Sequence, residues 1–258
     1  MQNEEAAGRL VVQSNELVRR RREEMTLLEN RMLLFLISAI KPEDEELKTV
    51  TFNIRDLCDI CGIDARGQNY QNIRDSLKSI ASKHFWLDKG DVEVLCSWIV
   101  KPTIHKNSME VSVDLDPDTA PFLLKLRRSF TAFELRFALA MHSTYSLRMY
   151  ELLKSYASIG EWLVGLDEFK ELTNSGTYKD FASLRRRVID PALKEISEKT
   201  DLIVSYRQIN GAKGRTVTAL CFTIGKRTIA AARARADCAI LDKGAAWAQR
   251  QMDKMQEE

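Results

Sequence analysis

The sequence predicts an α+β fold built from two mostly helical units in tandem, each closed by a short β-hairpin. Three observations predict it. The order helix, short helix, helix, hairpin occurs twice along the 258 residues. The helical segments carry apolar side chains at three- and four-residue spacing, whereas the hairpin segments alternate. Finally, 45% hydrophobic and 29% charged residues suit one or two packed domains and exclude a disordered chain.

In the first half, Thr26 opens TLLENRMLLFLISAI with Glu29 three residues on, the spacing of a reciprocal capping box. Leu27, Leu28, Met32, Leu33, Phe35, Leu36 and Ile40 are too dense for a surface helix, so this is a core helix that Pro42 ends. TVTFNI then reads as a short strand and RDLCDICGID as a short helix stopped at Gly62. NYQNIRDSLKSIASKHF reads as a third helix with Tyr70, Ile73, Leu77, Ile80 and Ala81 on one face. Two β-like runs follow, VEVLCSWIV and MEVSVDL, with Ile104 to Ser108 expected as their loop.

The second half repeats this order. STYSLRMYELLKSYAS is a long helix with Ser143 as its cap, EWLVGL a strand and DEFKELT a short helix. TYKDFASLRRRVIDPALKEISEKT is the third helix. LIVSYRQI and TVTALCFTI form a hairpin through the glycine-rich turn NGAKGR. At Asp190-Pro191 the third helix either kinks or gives way to a new one, capped by Asp190 with Pro191 first. Three helices and a two-stranded hairpin make a winged helix, the helix-turn-helix variant whose third helix can enter the DNA major groove. The expected fold is therefore tandem winged-helix domains, residues 10–120 and 130–226, with an alanine-rich tail at 227–258 to which the sequence assigns no role.

Net charge names no partner, since 39 basic and 37 acidic residues leave only +2. Local clustering does. Within nine residues of the second third helix, Lys179, Arg185, Arg186 and Arg187 face a single acid, Asp180, and the hairpin adds Arg207, Lys213 and Arg215 where a wing would meet phosphates. Phe181, Leu184 and Val188 claim the buried face, so Ser183, Arg186 and Arg187 project away from it, with Arg185 nearer the flank. Arginine's planar fork can bind guanine O6 and N7 together, so such a face can read sequence as well as hold charge. The corresponding first helix carries Arg74, Lys78 and Lys83 against Asp75, an ordinary exposed face. Arg19 to Arg22, followed by Glu23 and Glu24, fits a helix with internal salt bridges somewhat better than a phosphate contact.

The segment VVQSNELVRRRREEMTLLENRMLLFLISAI resembles the opening of the plasmid replication initiator (Rep) proteins. SLRMYELLKSY, then YKDFASLRRRVIDPALKEISEKTDLIVSY, then GRTVTALCFTI are similar to their carboxy-terminal domain, in the same order. The resemblance spans roughly residues 10–225. It implies two winged helices that bind directly repeated origin DNA, the iterons, and start replication of a bacterial plasmid. It places principal major-groove recognition on the segment from Tyr178 to Ile189. To the amino-terminal domain it gives auxiliary DNA contacts and dimerisation. It also implies monomers on iterons, in equilibrium with homodimers that repress the initiator's own gene, and partners among the host replication proteins.

Enzymatic chemistry finds no support in the sequence. His84, His105 and His142 stand apart, unlike the paired histidines of a metal-assisted nicking site. No G-x-x-x-x-G-K-[ST] phosphate loop is present. Cys58-x-x-Cys61 lacks a second ligand pair for zinc and lies at the end of a helix, where redox pairs do not sit. The tryptophans at 86, 98 and 162 lie at or beside strands and read as core. No catalytic residue, metal or cofactor is therefore expected. The longest apolar run, Met32 to Ile37, is far short of a membrane span, and the polar amino terminus lacks a signal peptide, so a cytoplasmic protein is expected. Two other functions fit the same fold: a winged-helix transcription regulator without initiator activity, and a winged-helix scaffold for protein partners.

Overall fold

The computed structural model describes residues 6–41, 43–61, 68–88, 90–211, 214 and 216–240. The chain starts with β1 (Leu10–Ser14) and α1 (Asn15–Arg20), then α2 (Leu27–Ser38). Thr26 and Glu29 do close the capping box on α2: the Thr26 hydroxyl accepts from the Glu29 N–H while the Glu29 carboxylate accepts from the Thr26 N–H. Met32 through Ile37 are all buried, so α2 is the central helix of the first unit.

Around it lie β2 (Val50–Asn53), α3 (Ile54–Cys61) and α4 (Gln68–Ser82). The expected pair of β runs is instead four strands. These are β3 (His84–Asp88), β4 (Glu93–Ser97), β5 (Ile99–His105) and β6 (Glu110–Leu115). EVLCS pairs antiparallel with HFWLD, so His84 and Phe85 are strand and not the end of a helix. Ile104 lies within β5, opposite Val111, and the connecting loop is correspondingly shorter than expected. The missed signal was local: HFWL is aromatic and branched, and Gly90, at φ +89°, makes the turn that a residue with a Cβ would resist. Strand order β2–β6–β5 leaves β3–β4 as a separate two-stranded sheet.

After a short α5 (Ala120–Leu123) comes β7 (Phe130–Glu134), which the expected boundaries assign to the second unit. It pairs antiparallel with β1, Val11 opposite Phe133, so residues 130–134 close the first unit's edge. Then follow α6 (Leu135–Ala140), α7 (Thr144–Tyr156), β8 (Glu161–Gly165) and α8 (Leu166–Leu172). The third helix, α9, runs through Phe181–Leu184, a π turn at Arg185–Ile189, and Asp190–Lys199. β9 (Leu202–Asn210) and β10 (Val217–Lys226) complete a sheet ordered β8–β10–β9. That order is the counterpart of β2–β6–β5, so the two units share topology as well as element order.

The units meet at α7, which packs against α1 and β7 as well as α9 and β8. Buried charge pins this joint. Arg21 reaches Glu151 at 2.6 Å and Asn30 at 3.0 Å, and Gln13 donates to the same Glu151 carboxylate. Arg148 donates to the carbonyls of Val18, Arg21 and Leu172; burial pulls its pKa down to about 9, which leaves it charged at neutral pH.

Residues 229–240 form a helix, α10, that returns across this joint. Ala232 and Ala236 are buried, Arg233 forks onto Glu134, and Asp237 pairs with Arg136 at 2.6 Å. The first part of the alanine-rich tail is thus packed structure; residues 241–258 lie outside the described residues. No helix among the described residues is long and apolar enough to cross a membrane.

Candidate nucleic-acid interface

The solvent face of α9 is set by its core face. Leu184, Val188, Ile189, Ala192, Leu193 and Ile196 are buried, which turns Arg185, Arg186 and Arg187 outward, all three exposed. The amino end is fixed by Asp180, whose carboxylate accepts from the Ser183 N–H at 2.7 Å. Hydrogen bonding to the Ser183 backbone and side chain holds the Asp180 carboxyl below the usual range, so this anion persists beside the cations. Ser183 is itself half-buried.

The π turn answers the question posed by Pro191. Asp190 is helical and caps nothing; its N–H donates five residues back, to the Arg185 carbonyl. Proline has no N–H, and its ring would strike the carbonyl four residues earlier, so the helix widens by one residue and continues. Asp190 Oδ2 lies 3.3 Å from Arg185 Nε, and its Oδ1 accepts from the Tyr206 hydroxyl at 3.1 Å.

Lys179 is exposed beside the arginines, and Tyr178 lies at the edge of the same strip. Its ring meets Tyr145 edge-on, centroids 6.2 Å apart, so it anchors the turn before α9. Burial, with a hydrogen bond to Tyr178, raises the Tyr145 pKa. Arg207 is exposed on β9. Leu202, Val204 and Tyr206 face the core side of the hairpin, and strand alternation puts Arg207 on the other side, opposite Cys221. Lys213 and Arg215 lie outside the described residues. Of the nine expected residues, then, Lys179, Arg185, Arg186 and Arg187 are exposed on or just before α9, and Tyr178 and Ser183 are half-buried there.

A second basic surface escaped the sequence reading. Arg74 and Lys78, one turn apart on α4, line a groove of about 330 Å³ with Tyr70, Pro102, Ile104 and Lys106. This is where a wing meets a third helix in the first unit. The four-residue spacing of Arg74 and Lys78 is the local signal for it, and Lys106 lies in the turn between β5 and β6. Lys83 is not part of it, being half-buried with its ammonium 3.0 Å from the buried Glu29.

The Arg19–Arg22 run is structural. Arg19 lies over the Tyr156 ring at 3.7 Å and donates to Ser155, Arg20 pairs with Glu16, Arg21 is buried on Glu151, and Arg22 donates to the Arg19 carbonyl. Cys58 and Cys61 are buried within α3. Among the described residues, Cys96, Asp116 and Asp118 lie close enough to share a cation, but Asp116 already accepts from the N–H groups of Ser97 and Asp118 as a turn cap.

Residues 10–154 match the family described as "Initiator Replication protein, WH1", and residues 165–224 match "Initiator Rep protein, WH2". The chain belongs to the replication initiator family. The first match runs into α7, to residue 154, and the second begins at the last residue of β8. A relative from Escherichia coli, called only an uncharacterized 27.6 kDa protein, is 23% identical over 68% of this chain and 77% of its own length. The PI protein of Escherichia coli is 25% identical over 59% of this chain and 62% of its own. Among solved structures, the Pi initiator protein in complex with iteron DNA superposes with a TM-score of 0.70, at 18% identity, over 86% of this chain and 99% of that one. That likeness confirms the fold of the initiator.

Proposed function

We propose that this initiator binds repeated origin DNA as a sequence-specific, non-enzymatic protein of the bacterial cytoplasm, with α9 as its principal reading helix. The observation that carries this is the solvent strip of Arg185, Arg186 and Arg187 on the third helix of the second winged unit, backed by a fully buried opposite face. The Arg74–Lys78–Lys106 groove supplies auxiliary phosphate contacts from the first unit. With no nucleotide-binding loop in the sequence, opening the origin falls to host replication proteins recruited to the complex.

Dimerisation in this reading belongs to the first unit. On the β3–β4 hairpin, Trp86 and Leu95 are cross-strand partners and are 65% and 52% exposed, an apolar face that a second copy can cover about a two-fold axis. The dimer then serves to repress the initiator's own gene.

Footprinting of the purified chain across its own upstream region tests the main reading. A ladder of protected direct repeats is expected, with affinity falling steeply as salt rises. A single operator would favour a regulator of the same fold, and absence of salt-dependent binding would favour a protein scaffold. Sedimentation of Trp86→Glu should show a monomer at concentrations where the parent chain dimerises; an undiminished dimer would move the interface elsewhere.

A further inference from the structure

The π turn in α9 does more than admit Pro191. A regular helix advances about 100° per residue, so side chains five apart sit about 140° apart around the axis. At Arg185 and Asp190 the five-residue backbone bond removes most of that offset and stacks one side chain over the other. The result is the 3.3 Å pair between Arg185 Nε and Asp190 Oδ2. Asp190 is held in turn from the wing, because Tyr206 on β9 donates its hydroxyl to Oδ1, and the Tyr206 ring packs 5.7 Å from that of the fully buried Phe222. Burial and the neighbouring Asp190 push the Tyr206 pKa up to about 12, so the hydroxyl remains a donor at neutral pH.

The geometry leaves a specific kind of recognition open. The carboxylate engages Nε, the one guanidinium nitrogen that an end-on contact through Nη1 and Nη2 does not need. Arg185 and Asp190 keep side-chain exposures of 53% and 50%, so the pair sits at the surface where DNA would arrive. An arginine oriented beforehand loses less rotamer freedom on binding than one that swings freely. Arg186 and Arg187, by contrast, have no carboxylate at ion-pair distance among the described residues.

Resting on the DNA-binding reading above, we propose that Asp190 and Tyr206 are positioning residues that make Arg185 the guanine-reading arginine of this helix. The relay runs from the wing through the carboxylate to the guanidinium fork, and it couples the hairpin to base recognition without the hairpin touching a base.

The sign of one substitution separates this role from a merely structural one. Asp190 is an anion on a face that meets phosphates, so removing its charge by itself tightens binding to any DNA. If it also orients Arg185, removing it weakens binding to the preferred sequence. The test uses the full chain and a random-sequence duplex library, from which wild type, Asp190→Asn, Tyr206→Phe, Arg185→Ala and Arg185→Ala/Asp190→Asn each select their sites. Asp190→Asn should bind the wild-type-selected duplex about five- to tenfold more weakly and lose preference at one guanine. It should bind a scrambled duplex as well as wild type or better, which also shows that the variant is folded. Tyr206→Phe should shift in the same direction by less, and the double variant should be no worse than Arg185→Ala alone. An unchanged motif in Asp190→Asn, or additive effects in the double variant, would overturn the relay while leaving the DNA reading intact. A wild-type chain that selects no motif would overturn both.

Discussion

Two arginine runs of almost the same composition have opposite fates in this protein. Arg19–Arg22 is engaged by the protein itself: one guanidinium is buried on Glu151, another lies over Tyr156, and the two exposed ones pair locally. Arg185–Arg187 stands in solvent with its apolar neighbours turned the other way. The run itself decides neither outcome. What decides is the company brought by the fold: α7 carries Glu151 to Arg21 across 130 residues of sequence, while α9 spends its buried face on Leu184, Val188 and Ile189. A basic run is evidence for nucleic acid only once its neighbours in space are known.

The largest effect that can break this comparison lies at the first run. Glu151 is fully buried and accepts from both Arg21 and Gln13. Glu151→Ala should cost about 3–5 kcal/mol of folding stability, because it leaves the Arg21 charge buried without its partner. Urea unfolding of the two chains measures it. Loss of DNA affinity without loss of stability would instead place Arg21 in the interface.

Next comes the second run, where the expectation is reversed. Arg186→Ala/Arg187→Ala should leave the urea midpoint unchanged and weaken binding to the selected duplex about tenfold or more. If the arginines grip phosphates, scrambled duplex weakens equally and the salt slope becomes shallower by about one unit per contact. If they read bases, the loss is confined to the preferred sequence. A folded double variant that binds as tightly as wild type would show that Arg186 and Arg187 make no DNA contact, and would leave Arg185 alone to carry recognition by α9.

The contrast also explains what was legible in the sequence. The capping box at Thr26, the core face of α2 and the outward turn of Arg186 and Arg187 are local patterns, and each is present in the structure. The β3–β4 hairpin was missed because the helical spacing of Ile73, Leu77 and Ile80 seemed to run on into Phe85, although HFWL is a strand composition. The placement of Arg207 follows from alternation: with Leu202, Val204 and Tyr206 on the core side of the sheet, it lies on the solvent side. The π turn and the Glu151 partnership had no local signature. One depends on how a proline is accommodated, the other on an encounter between distant segments.

A smaller effect tests whether the first unit shares in DNA binding. Arg74→Ala/Lys78→Ala removes two cations from the groove beside Lys106. Selected and scrambled duplexes should weaken alike, by a few-fold at moderate salt, with a salt slope shallower by about two units. The selected motif should not change. A changed motif would mean that α4 also reads bases, and the division of labour between the two third helices would be lost.

The smallest expected effect is the sharpest test of the opening comparison. Arg20 and Arg22 are the two exposed members of the first run. Arg20 pairs with Glu16 one turn earlier on α1, with both side chains about half exposed, and such pairs contribute little in water. Arg22 donates at 2.7 Å to the Arg19 carbonyl, just beyond the end of α1, a bond that water can replace. Arg20→Ala/Arg22→Ala should therefore change folding stability by no more than about 0.5 kcal/mol. If the run is wholly structural, affinity for both selected and scrambled duplex should also stay within about twofold, and the salt slope should not move. A slope shallower by about one or two units would show that these cations reach the phosphate backbone after all. In that case the first run is divided: Arg19 and Arg21 hold α1 to α7, and the two exposed arginines extend the DNA surface from the joint between the units.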